Sequence, residues 1–153
     1  MVHTVTRSCR LRAPPGEVWR CATSMPEVDR EMRPILRMTW PREADARALD
    51  DPGVPVGEPL FTSWILLFGV LPVDRMRVTL AEVEPGRRFV ERSTPAVLRS
   101  WRHEREVAPD GEGCRVTDTL ELAAPAFGGA VAAFVGWFFS HRHRRLRARF
   151  GAA

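Results

Sequence analysis

Lysine and tyrosine are absent from the 153 residues, and cysteine occurs only three times. Each shortage excludes something. All 23 basic residues are Arg, so the net charge of +4 reads as the codon habit of a GC-rich genome rather than a surface built for a polyanion. Nucleic acid is therefore not expected as a partner. Cys9, Cys21 and Cys114 are odd in number and show no CxxC or other metal-ligand spacing, which points to reduced cytoplasmic thiols instead of a disulfide framework. No metal and no cofactor are expected. No stretch reaches the ~18 apolar residues that a membrane span requires. The longest apolar segment, Ala123–Phe139, is broken by Pro125 and three glycines. Met1–Arg12 alternates polar and apolar residues and lacks the continuous apolar core of a signal peptide. A cytoplasmic protein with no transmembrane segment is the expectation.

What is present suits one globular domain over residues 1–153. Hydrophobic residues make up 44% and charged residues 27%, and a chain of this length buries roughly two-thirds of its unfolded surface. Val2–Arg12 has close to period-two alternation and predicts a strand, ended by Ala13-Pro14-Pro15-Gly16. Pro15 and Glu17 suit the start of a short helix carrying Val18, Trp19 and Ala22 inward. Ser24, Pro26 and Glu27 open a second short helix, which Pro34 closes. Strands are then predicted at 35–40, 60–68, 73–84 and 88–93, with a long loop over Pro41–Pro59. The 60–68 segment is apolar on both faces, as for a buried strand or one covered by a second copy of the chain.

Val97–Val107 and Cys114–Ala123 flank Asp110-Gly111-Glu112-Gly113 and predict a hairpin. Setting Val107 opposite Cys114 pairs Glu106 with Arg115, Trp101 with Leu120 and His103 with Asp118. The covered face then carries Val97, Arg99, Trp101, His103, Val107, Val116, Asp118, Leu120 and Leu122. From Phe127 to about Phe150 the period becomes helical, with Phe127, Val131, Phe134, Phe138 and Leu146 near one stripe. Arg142, Arg144, Arg145 and Arg147 read as a solvated face.

The order of strand, two short helices, about six antiparallel strands and a long closing helix resembles the helix-grip fold of the START-like, birch-pollen-allergen-like superfamily, also called SRPBCC. Local motifs agree. Leu11–Trp19 (LRAPPGEVW) is similar to the family's lead into its first helix, and Val83–Phe89 (VEPGRRF) to one of its turns. Ser100–His103 (SWRH), Gly113–Asp118 (GCRVTD) and His141–Leu146 (HRHRRL) resemble a bacterial subgroup described as ligand-binding or polyketide-cyclase-like. The resemblance implies an α+β fold whose curved antiparallel sheet wraps the C-terminal helix around an apolar cavity. It implies a hydrophobic ligand, lipid or polyketide-like, held without a cofactor. The absence of Tyr and the presence of Met32-Arg33-Pro34 where the family commonly has a Trp depart from its pattern.

For such a cavity the candidate lining is Trp64, Met76, Phe89, Trp101, Phe134 and Phe138, with Arg99 and His103 supplying polarity and His141 beside Phe138. The alternative reading is a polyketide aromatase/cyclase, with His103 as general base, Asp118 orienting it and Arg99 holding a ketone or enolate. A satisfied buried hydrogen bond between His103 and Asp118, or a network reaching Arg99 and Arg105, is the plainer account of the same pair. His141 and His143 lie about 200° apart on a helix and cannot share one metal. The apolar Leu60–Leu71 segment is expected in the core first and in a homodimer contact second.

Overall fold

The computed structural model describes residues 1–45 and 47–153. β1 (His3–Leu11) leads into α1 (Pro15–Ala22) and α2 (Met25–Met32), followed by β2 (Leu36–Met38), β3 (Pro59–Leu67), β4 (Leu71–Glu84), β5 (Arg88–Pro95), β6 (Ser100–Asp110), β7 (Gly113–Ala123) and α3 (Gly128–Phe150). The seven strands form one antiparallel sheet in the order β1-β7-β6-β5-β4-β3-β2. Register shifts within the β3–β4 and β4–β5 pairs are bulges that help to curl the sheet. α3 lies across the concave face against β1 and β7, while α1 and α2 close one end. This is the expected helix-grip architecture.

The β6–β7 hairpin departs from the expected register by two residues. Val107 faces Val116, Trp101 faces Leu122, and Arg105, not His103, faces Asp118. The ladder runs on to Asp110–Gly113, leaving a two-residue turn at Gly111-Glu112 with Gly111 at φ +60°. That turn centres the hairpin one residue later than the Glu106–Arg115 charge pair suggested. Gly113 allows the close approach of β1: a Cβ there would sit 1.9 Å from the Leu11 carbonyl oxygen. A shift of two residues keeps every side chain on its face, so the inward set within the two strands survived, while Val97 and Arg99 fall in the preceding loop and are exposed.

The apolar 60–71 segment is corrected more substantially. Ser63 and Ile65 point inward, but Trp64 is 46% exposed and packs under the Arg75 guanidinium on the outer face. Phe68, Val70 and Leu71 are also exposed. On α3, Phe127 is 85% exposed, because it occupies the N-cap in a left-handed conformation rather than joining the helical stripe.

Along the three central elements, apolar residues are interrupted at the same level by charge. On β7 Asp118 separates Cys114 and Val116 from Leu120 and Leu122; on β6 Arg105 and His103 separate Val107 from Trp101; on α3 Arg142 and His143 separate Leu146 from Val135, Phe138 and Phe139. Two hydrophobic clusters result. One includes Leu11, Val18, Trp19, Leu80, Phe89, Val107, Val116 and Leu146; the other includes Met32, Ile35, Leu120, Leu122, Val135, Phe138 and Phe139.

Candidate functional site

The interrupting charges form one network. Asp118 is fully buried, and each of its oxygens accepts two hydrogen bonds. Oδ1 receives His103 Nε2 at 2.7 Å and Arg105 Nε at 2.8 Å; Oδ2 receives Arg105 Nη2 at 2.8 Å and His143 Nε2 at 2.7 Å. Arg105 reaches on to Glu31 of α2 with two further bonds, at 3.0 and 2.9 Å, and Arg142 Nε donates to the same carboxylate. Burial alone would raise the Asp118 pKa, but the Arg105 charge and the two imidazole bonds hold it well below the usual carboxylate range. Burial likewise disfavours ionised Glu31, and Arg105 and Arg142 outweigh it, leaving its pKa lowered.

His103 belongs to this network and to a cavity. Desolvation would lower its pKa, yet the bond to Asp118 and the Glu91 carboxylate beside the ring prevail and raise it above the ordinary imidazole value. Its Nδ1 lies 3.8 Å from Glu91 Oε1. The ring packs edge-on against Phe139 on one side and Phe89 on the other.

The cavity has a volume of about 400 Å³ and lies between α3 and the β2–β6 part of the sheet. Its walls are largely apolar, built from Met32, Met76, Trp101, Val135, Phe138 and their neighbours. Four charged or titratable residues line it: Asp74, Glu91, His103 and Arg142. Asp74 is committed to backbone, its carboxylate accepting from the amides of Arg75, Ala96 and Val97 at 2.7–2.9 Å and of Leu98 at 3.4 Å. This fixes the β5–β6 loop beside the cavity. Val73, Val97 and Phe134 line the cavity and are exposed, so they mark its mouth.

Of the residues expected to line such a cavity, Met76, Trp101, His103, Phe134 and Phe138 do so. Trp64 points out of the sheet, and Phe89 packs with Trp19 behind His103. Arg99 is exposed: it lies in the β5–β6 loop, outside the strand alternation that assigned it inward. It therefore holds nothing in the cavity. His141 is turned toward α2's end, hydrogen-bonded to the Arg33 carbonyl at 2.8 Å.

Glu31 and Glu91 escaped the sequence reading, His143 entered it only as half of a rejected metal pair, and Arg142 was assigned to solvent. The signal for Arg142 was present, because it falls between Phe138 and Leu146 at successive spacings of four. Its guanidinium lies 4.8 Å from the Phe139 ring centre and is 6% exposed.

Cys9, His143 and Asp118 also have the connectivity of a nucleophilic triad, with Cys9 Sγ 2.9 Å from His143 Nδ1. The electrostatics are opposite to what that chemistry needs. Burial pushes the Cys9 thiol up to about 11, despite the nearby Arg105 and Arg147 charges, and Cys9 is not part of the cavity wall. The bond is structural. All three cysteines are free, no described helix is long and apolar enough to cross a membrane, and no group of three His, Cys, Asp or Glu among the described residues is placed to hold a metal.

Comparison with solved structures gives relatives of the same shape. Protein CV1439 from Chromobacterium violaceum aligns over 98% of this chain and 99% of that one, at 18% identity and a TM-score of 0.71. A START superfamily protein from Mycobacterium smegmatis aligns over 97% of both chains, at 11% identity and a TM-score of 0.67. DynU16, a protein in the dynemicin biosynthetic locus, aligns over 97% of this chain and 48% of its own, at 16% identity and a TM-score of 0.57. At these identities the likeness shows the fold, which is the START-like helix grip. No curated protein matches the sequence. A family model matches residues 9–150.

Proposed function

The chain belongs to the family described as "Domain of unknown function (DUF8410)", and from that premise we propose that it binds a hydrophobic small molecule in the cavity between α3 and the sheet. One observation carries the reading: a largely apolar space of about 400 Å³, with few polar groups in its wall, has the size and lining of a small-molecule site. The ligand-binding character of the fold supports it, since a START superfamily protein shares the architecture.

Native mass spectrometry of the freshly purified protein, followed by denaturing extraction, tests the occupant. A reproducible added mass that leaves on denaturation is the expected result. The neutral dye N-phenyl-1-naphthylamine tests the space itself: one equivalent should bind and brighten, and Val131→Phe, which places a ring in the cavity wall, should abolish the signal. Dye binding that is absent from the parent protein, or unchanged in Val131→Phe, refutes the proposal.

A second reading is a polyketide cyclase or aromatase, favoured by the His103 imidazole on the cavity wall. The raised pKa of His103 widens the pH range over which it can donate a proton and narrows the range over which it can act as the general base. An enzyme using it as base would gain rate as pH rises through that pKa. One using it as acid would lose rate over the same range.

A further inference from the structure

Resting on the ligand-binding reading, the wall of the cavity also specifies the polar end of what it holds. Among the described residues Arg142 is the one arginine in that wall, and it is nine-tenths buried. Its Nε is taken by Glu31, while its two terminal nitrogens hydrogen-bond nothing among the described residues. Glu91 lies in the same wall. Its Oε2 accepts from the Ser93 hydroxyl, and its Oε1 accepts no hydrogen bond among the described residues, His103 Nδ1 lying 3.8 Å away. The cavity therefore offers unused donors from a guanidinium and an unused acceptor from a carboxylate. Neither set of atoms is sealed from the water of the cavity, and an occupant that displaces that water must replace its hydrogen bonds, so one that satisfies both is selected.

Charge decides which occupant. Every cation of the network already faces a carboxylate: Arg142 faces Glu31, Arg105 faces Glu31 and Asp118, and His103 lies between Asp118 and Glu91. Against Glu31, Glu91 and Asp118 stand Arg105, Arg142 and, when protonated, His103. Asp74 adds a fourth carboxylate, balanced only by amide N–H groups. A carboxylate ligand would meet no uncompensated positive charge and would place its own charge near Glu91, which in a poorly solvated space is strongly disfavoured. A hydroxyl has neither problem. It can accept from Arg142 and donate to Glu91 in turn, or a vicinal carbonyl and hydroxyl can divide the two tasks.

We infer that the ligand is a neutral apolar molecule ending in a hydroxyl or hydroxy-carbonyl group read by Arg142 and Glu91, and not a fatty acid or other anion. Competition against bound N-phenyl-1-naphthylamine tests this with three probes of equal chain length: 1-decanol, decanoate and n-decane. At neutral pH 1-decanol should displace the dye at a concentration about tenfold or more below decanoate, as expected for one satisfied rather than one opposed buried charge. Arg142→Met should erase the preference of alcohol over alkane, and Glu91→Gln should narrow the preference of alcohol over carboxylate. Decanoate competing as well as 1-decanol overturns the inference, as do alcohol preferences untouched by both substitutions. If the dye itself finds no site, the ligand-binding reading falls and takes this one with it. Circular dichroism on both variants identifies a folding defect, in which case Arg142→Lys and Glu91→Ala are read by the same competition.

Discussion

On one side of the Glu31–Arg105–Asp118 network, α1 and the Trp19 side chain close over the sheet, and Leu11, Val107, Val116 and Leu146 fill the space between. On the other side the same sheet and the same helix enclose a cavity of about 400 Å³, lined by Met76, Val135 and Phe138. The strands, the curvature and the helix are shared, so neither secondary structure nor topology makes one half solid and the other hollow. The difference lies in which elements cover each half. α1 and the aromatic pair Trp19–Phe89, 6.0 Å apart, cap the solid half. The hollow half is bounded by short β2, the loop held on Asp74 and the first turns of α3. The ion network stands at the boundary, where each charge can be paired from three directions. It teaches that a buried charge can serve as a wall.

The wall gives the largest expected effect. Arg105 is 1% exposed and holds two carboxylates, so Arg105→Met leaves Asp118 and Glu31 without their main counter-charge. Breaking a buried pair in this way costs about 3–5 kcal/mol. Urea denaturation monitored by Trp fluorescence should show that loss. A loss below about 1 kcal/mol would mean that the two halves are not divided by this network at all.

A smaller effect separates the halves directly. Val107 is fully buried in the solid half, and Val131 lines the hollow one. Val107→Phe overpacks a filled core and should cost about 1–3 kcal/mol. Val131→Phe puts the same added ring into open space, so its stability should stay within about 0.5 kcal/mol of the parent, the range of changes that disturb no packing. Equal losses at the two positions would show that the cavity is filled in solution, and would weaken the ligand-binding reading with it.

How legible this division was in the sequence differs between fold and site. Period-two runs, the Ser24–Pro26 helix start, the Leu11–Trp19 motif and the helical period after Phe127 were enough for the three α-helices and every strand, with ends displaced by a few residues. The hairpin face survived a wrong register because the shift was even. Site residues were readable where alternation placed them, as with His103, Asp118 and Met76. They were not readable where contacts join elements distant in sequence. Glu31 meets Arg105 across 74 positions and Arg142 across 111, and no local period encodes either meeting. Trp64 and Arg99 misled for the complementary reason: apolarity suggested the interior for a residue whose parity points outward, and alternation was extended into a loop.

The smallest effect concerns strain at the hollow end. Phe68 at φ +53° and Gly69 at φ +78° are successive positive-φ residues in the turn joining β3 to β4, a geometry in which Asn-Gly is favoured and an aromatic residue is not. Phe68 is 65% exposed and takes no part in the cavity wall, so its ring contributes little packing in return. Phe68→Asn should relieve the left-handed backbone and raise stability by about 1 kcal/mol, read as a higher midpoint in thermal unfolding. Phe68→Ala is the control: it removes the ring but keeps a Cβ in the same unfavourable φ, so it should bring no such gain. If Ala and Asn raise the midpoint equally, the cost at Phe68 belongs to the exposed ring and not to the backbone. In that case the hollow half carries no more conformational strain here than the solid one.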